Sequence, residues 1–157
     1  MVEALQDFTT SLPPWLQWLG VMAAGAIPFI ESYAGSVIGI VAGITPIVAV
    51  GAAIVGNISS MLLMVLGVDA VRGKLARTPE EPSSKHQRLR NMFDKYGVAV
   101  VSLVGQSILP SQITSTAMVS FGASRNAVIF WQVISIVLWG VAFGVLATLG
   151  VDLLGNR

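Results

Sequence analysis

Residues Gly25–Ser36 read GAIPFIESYAGS, placing a proline at 28 and a carboxylate at 31 inside an otherwise apolar run. A proline removes an intrahelical hydrogen bond and clashes with the preceding turn. In hydrocarbon, the freed backbone groups are tolerated only where protein or water covers them. Trp15 to Gly43 therefore reads as a re-entrant helical hairpin that dips, breaks at Pro28 and returns. Residues Gly105–Thr116, GQSILPSQITST, repeat the plan with Gln106, Pro110, Ser111 and Gln112, so Val98 to Gly122 reads as a second hairpin. A clean apolar span follows each one, Ile44 to Val68 and Ala127 to Gly150, and both halves end in LGVD, at Leu66–Asp69 and Leu149–Asp152. Interrupted apolar segments in corresponding positions of two halves point to a transport site.

Composition agrees with a bilayer setting. Of 157 residues, 54% are hydrophobic and 11% charged, with a mean hydropathy of +0.77. Soluble domains carry about 25% charged residues, so lipid must form part of the solvent. The expected fold class is an all-α polytopic membrane protein built as two inverted repeats, each a re-entrant hairpin followed by a transmembrane helix. It forms a single membrane domain over 1–157: repeat one at about 15–70, an amphipathic linker at 71–96, repeat two at about 97–154. The chain has no cysteine, which excludes disulfides and thiolate chemistry. Met1 to Thr10 carries Glu3 and Asp7 and lacks the basic flank of a signal peptide, so the apolar segments are expected to be structure.

Charge sets the expected orientation. Seven of the nine Lys/Arg residues, Arg72, Lys74, Arg77, Lys85, Arg88, Arg90 and Lys95, lie in the central segment, which the positive-inside rule makes cytoplasmic. Two hairpins then put Arg125 on the cytoplasmic side and Glu3 and Asp7 outside; four full spans would reverse these. In the linker, Thr78–Ser84 (TPEEPSS) is bounded by prolines. Leu89, Met92, Phe93 and Tyr96 follow at helical spacing among basic residues, as in a helix lying on a leaflet. Acidic residues mixed into this cluster, and its tether at the membrane, argue against a nucleic-acid partner.

The strings GAIPFIESYAGSVIGIVAGITP (Gly25–Pro46), IVGN (Ile54–Asn57) and YGVAVVSLVGQSILPSQ (Tyr96–Gln112) resemble the small multidrug export family. That family is distantly similar to the DedA/VTT superfamily, whose members have two opposed re-entrant hairpins in inverted repeats. The resemblance spans roughly Trp18 to Leu149 and implies transport. Two departures stand out. The acidic and basic residues often found before the GAIP string are replaced by Met22 to Ala24. The arginines typical of DedA proteins around the second proline are replaced by Gln106, Ser107, Gln112 and Ile113.

Glu31 is the leading candidate for substrate or proton binding. A charged side chain at membrane depth costs about 2.5 to 3.5 kcal/mol on insertion scales, so such residues are rare and usually functional; the structural alternative is a shallow tip at which Glu31 merely reaches water. Desolvation favours the neutral acid, which makes proton exchange near neutral pH possible. Pro28 joins it as the helix breaker. Gln106, Pro110, Ser111, Gln112 and Thr114 form the second polar group, expected to face Glu31 if the hairpin tips meet. Their structural alternative is to satisfy the backbone freed at Pro110. Asn57, near the centre of its span, either hydrogen-bonds a neighbouring helix or joins the site. Trp131 and Gln132 read as interfacial or packing residues. Gly35, Gly39 and Gly43, and Gly140 and Gly144, are spaced for close helix packing. His86 alone cannot build a metal site, and no HExxH, phosphate loop or nucleophile elbow occurs, so neither an enzyme nor a cofactor is expected.

The leading expectation is a proton-coupled exporter of small hydrophobic or cationic compounds, multi-pass in the cell membrane and homodimeric. The alternative is a translocase or scramblase of lipid or polyprenyl phosphate. A third reading, an assembly factor held by glycine packing, predicts that Glu31, Gln106 and Gln112 tolerate substitution.

Overall fold

A computed structural model describes residues 2–72 and 84–155. The structure is all-α, with seven helices and no strand among the described residues. α1 spans Val2–Ser11, and a short 3-10 turn at Pro14–Leu16 leads into α2 (Gln17–Ala26) and α3 (Glu31–Val41). α4 runs Pro46–Arg72, α5 Ser84–Gly105, α6 Ser111–Ser120 and α7 Arg125–Gly155. The clean spans expected at 44–68 and 127–150 are the cores of α4 and α7. Of the proline-bounded linker at 78–84, residues 78–83, with Lys74 and Arg77, lie outside the described residues, and Ser84 opens α5.

The chain forms two compact units, one built from residues up to Ser59 together with those from Ile136 on, the other from Ser60–Ser135. Each unit thus contains one helical hairpin, the first part of the long helix that follows it, and the latter part of the other long helix.

In the first unit, α2 and α3 pair antiparallel through small residues. A Cβ added at Gly35 would lie 3.2 Å from the Gly25 Cα, and one at Gly39 would lie 2.9 Å from a Val21 methyl. α4 closes on this pair: Ala53 meets Gly25 and Gly35, Ala49 meets Gly39, and the Met22 carbonyl lies where a Cβ of Gly56 would go. α7 packs through Gly140 against Ser32 and Ile54, and through Gly144 against Val50 and Ile40. The expected glycine packing therefore holds at 35, 39, 140 and 144. Gly43 differs: its φ is +85° and nothing surrounds it. It is the left-handed residue after α3, where Ile44 N–H donates to Gly39 O at 3.0 Å and Gly43 N–H to Ile40 O at 3.0 Å. That pair of bonds is the Schellman stop, which glycine makes without Cβ strain.

The first residues, which read simply as polar, are helical. Leu5 packs on the cluster of Ala24, Ile30 and Ile38, and Thr9, one turn on, is buried against Gly20. The spacing of four between partly buried Leu5 and buried Thr9 puts them on one face of α1.

In the second unit, α5 kinks at Gly97 (φ 75°, ψ −176°). The amphipathic stretch thus ends at Tyr96 and the hairpin helix begins at Val98, as the sequence indicates. α6 folds back from the break at 106–110, so that Phe121 at its end meets Phe93 (5.8 Å between ring centroids) and the Arg90 guanidinium (5.2 Å). α6 ends as α3 does: Gly122 has φ +102°, Gly122 N–H donates to Val119 O at 3.1 Å and Ala123 N–H to Met118 O at 3.0 Å.

α4 and α7 each hold a stretch long and apolar enough to cross a membrane: Pro46–Gly67, with hydropathy 2.1, and Arg125–Leu154, with hydropathy 2.2. Ile47, Leu63, Leu146 and Leu154 are exposed along them.

Candidate functional site

The tip of the first hairpin is built by its proline. Ile27, ahead of Pro28, is extended (φ −78°, ψ 127°), the conformation a following proline imposes. Ile30 N–H and Glu31 N–H both return to the Ile27 carbonyl, at 3.1 and 3.0 Å, which closes the turn. Phe29 (φ 72°) and Glu31 (φ 54°) occupy the left-handed region, and neither is glycine. The Tyr33 hydroxyl donates to the Phe29 carbonyl at 2.8 Å and holds this strained peptide from the next turn.

Glu31 is 1% exposed and opens α3, where the positive end of the helix dipole favours a carboxylate. Hydroxyls flank it on the same helix. Ser32 Oγ donates to the Ile136 carbonyl of α7 at 2.8 Å, and Ser36 Oγ to the Ser32 carbonyl at 2.6 Å. Pro28 and Phe29 are exposed, so Pro28 shapes the tip without joining the buried polar residues. Asn57 is fully buried on α4 in the same unit. The chemistry available here is proton exchange at one buried carboxylate beside fixed hydroxyls.

Pro110, Ser111, Gln112 and Thr114 lie together at the break of the second hairpin, buried. Thr114 Oγ1 donates to the Leu109 carbonyl at 3.1 Å and Thr114 N–H to the Pro110 carbonyl at 2.8 Å. Thr114 thus satisfies the backbone freed by the proline, the structural role weighed for it from sequence. Gln112 does more: Nε2 donates to Ser60 Oγ of α4 at 2.9 Å, and its Oε1 accepts from Ser111 Oγ at 3.4 Å. Of the sequence candidates, Pro28, Glu31 and Asn57 therefore belong to the first unit and Gln106, Pro110, Ser111 and Gln112 to the second.

Three polar residues of the second unit escaped the sequence reading as site candidates. Ser102, Gln132 and Ser135 are each 0% exposed. Gln132, read as interfacial or packing, is thus an interior residue. Its signal was present: Gln132 and Ser135, three apart on an otherwise apolar helix, share one face.

No protein-family model, curated protein or solved structure matches this chain.

Proposed function

We propose that the chain is a multi-pass membrane transporter that exports small hydrophobic or cationic compounds in exchange for protons, with Glu31 as the proton carrier. The observation that carries this reading is a carboxylate 1% exposed at the strained tip of a short-helix hairpin. Buried ionisable groups in apolar helices mark ion and substrate pathways.

Helix lengths support the bilayer setting. α2, α3 and α6 have 10, 11 and 10 residues, about 15 Å each, or half of a hydrocarbon core about 30 Å thick. Such helices suit hairpins that enter and return. The apolar stretches of α4 and α7 are only 28% and 22% buried within the chain, whereas a soluble core helix of that hydropathy would be largely covered. Lipid is the natural cover. The glycine-stopped ends shared by α3 and α6 support two repeats of one plan, and inversion of the second in the membrane rests on the charge distribution. In this reading the basic central segment is cytoplasmic, and the short chain works as a homodimer.

Translocation of an anionic lipid or polyprenyl phosphate is the weaker reading, because neither hairpin supplies the arginine forks suited to phosphate.

The deciding experiment uses protein reconstituted in liposomes with an imposed proton gradient and a fluorescent lipophilic cation. Glu31→Gln is expected to abolish gradient-driven transport while leaving insertion and thermal unfolding unchanged. Undiminished transport in that variant would remove Glu31 from the mechanism. Movement of a polyprenyl phosphate with no cation flux would favour the lipid reading.

A further inference from the structure

Within the first unit, α4 and α7 leave an open groove of about 480 Å³ between them, walled by Ile47, Val50 and Gly51 on one side and Val141, Val145 and Leu149 on the other. Gly51 helps to keep it open, since a Cβ added there would meet no atom within 4 Å. Pro46 and Thr148 line both this groove and a second space of about 300 Å³, whose walls include Thr45 and Asp152. Sites for small molecules have volumes of about 300–1,000 Å³.

Val141, Val145, Thr148 and Asp152 follow one another at steps of three or four, so one face of α7 passes from apolar to hydroxyl to carboxylate. From first to last this face is about 16 Å long, half of the hydrocarbon core and so the depth of one leaflet. The hydroxyl proton of Thr148 is committed to the Gly144 carbonyl at 2.9 Å, so its oxygen can only accept from a ligand. Asp152 is exposed and forms no ion pair among the described residues. The described residues of the first unit include Glu3, Asp7, Glu31 and Asp152 but no lysine or arginine.

Charge decides what such a groove can hold. A phospholipid or a fatty acid would bring its phosphate or carboxylate beside Asp152, with no basic side chain of the unit to meet it. A neutral alcohol would leave the carboxylate without a counter-charge. A cation carrying one apolar tail is complementary at both ends. We propose that the groove between α4 and α7 binds single-tailed lipophilic cations, the tail lying along Ile47, Gly51, Val141 and Val145 and the charged head at Asp152. The site does not use Glu31. Its purpose rests on the export reading: the orientation given above puts Asp152 at the outer surface, where an exporter releases its substrate.

The test is photolabelling of the full chain in phosphatidylcholine vesicles without a proton gradient, so that its failure is distinct from a failure of proton coupling. The probes share one alkyl tail with a diazirine at its end and differ only in the head: trimethylammonium, hydroxyl or carboxylate. At equal content in the membrane, the ammonium probe should label residues 46–51 and 141–149 at least about fivefold more than the alcohol, the factor for contact between unit charges in water. The carboxylate probe should label least. Asp152→Asn should bring the ammonium probe down to the level of the alcohol. Gly51→Leu, which fills the groove and leaves Asp152 in place, should lower ammonium labelling independently. Equal labelling by ammonium and alcohol would mean an ordinary lipid-facing surface and overturn the proposal. So would ammonium labelling that survives either substitution. No labelling by any probe would mean that a second copy of the chain covers this face, which would overturn it as well.

Discussion

Phe29 and Glu31 hold a left-handed backbone that costs a residue with a Cβ about 1–2 kcal/mol. Tyr33 helps to retain it by bonding the Phe29 carbonyl. Phe29→Gly should therefore raise the thermal unfolding midpoint in detergent, by an amount worth about 1 kcal/mol. Tyr33→Phe should lower it by about 1 kcal/mol, the net value of one hydrogen bond. A lower midpoint for Phe29→Gly would show that the ring contributes more than the strain removes. At this scale sequence was informative where residue type carries the physics. A proline must break a helix, and a lone acid in apolar sequence must be explained. The strain itself was hidden, because neither Phe nor Glu advertises a positive φ as glycine or asparagine would. Gly43 misled for the converse reason: a glycine that packs and a glycine that stops a helix look alike until the Schellman bonds are seen.

Among the elements, the first unit depends on backbones brought too close for side chains. At Gly25 and Gly56 an added Cβ would overlap the Ala53 backbone or the Met22 carbonyl, and backbone on both sides leaves little to yield. Gly25→Val or Gly56→Val should each cost at least about 2 kcal/mol by overpacking. Gly51→Ala, on the same α4 but in open space, should stabilise by up to about 1 kcal/mol through helix propensity. Chemical denaturation of the three variants side by side checks the contrast, and equal effects would remove close packing as the cause. The long helices were legible from length and hydropathy, and the hairpins from their prolines. α1 was not, since Leu5 and Thr9 supply too short an apolar stripe to stand out among Glu3, Gln6 and Asp7.

At the scale of the whole molecule, orientation rests on charge. Cysteines placed singly at the exposed positions Thr10, Gln87, Ser124 and Asp152 give the test. In intact cells, 10 and 152 should react with an impermeant maleimide, and 87 and 124 only after lysis. Reaction at 124 from outside, with 10 and 152 protected, would mean four full spans and would end the inverted-hairpin reading. What no sequence pattern reveals is which distant stretches complete each unit, because local periodicity carries no information about partners.

The hydroxyl of Ser32 finds its acceptor on Ile136, and α7 supplies a wall of the unit to which the first hairpin belongs. On the ribosome, that hairpin emerges long before its wall exists. A nascent chain halted at residue 130 would leave Ser32 without the acceptor that α7 supplies in the finished unit. Residues made later thus decide when earlier ones are mature. A nonsense codon at residue 130 should therefore damage the first hairpin as well as α7.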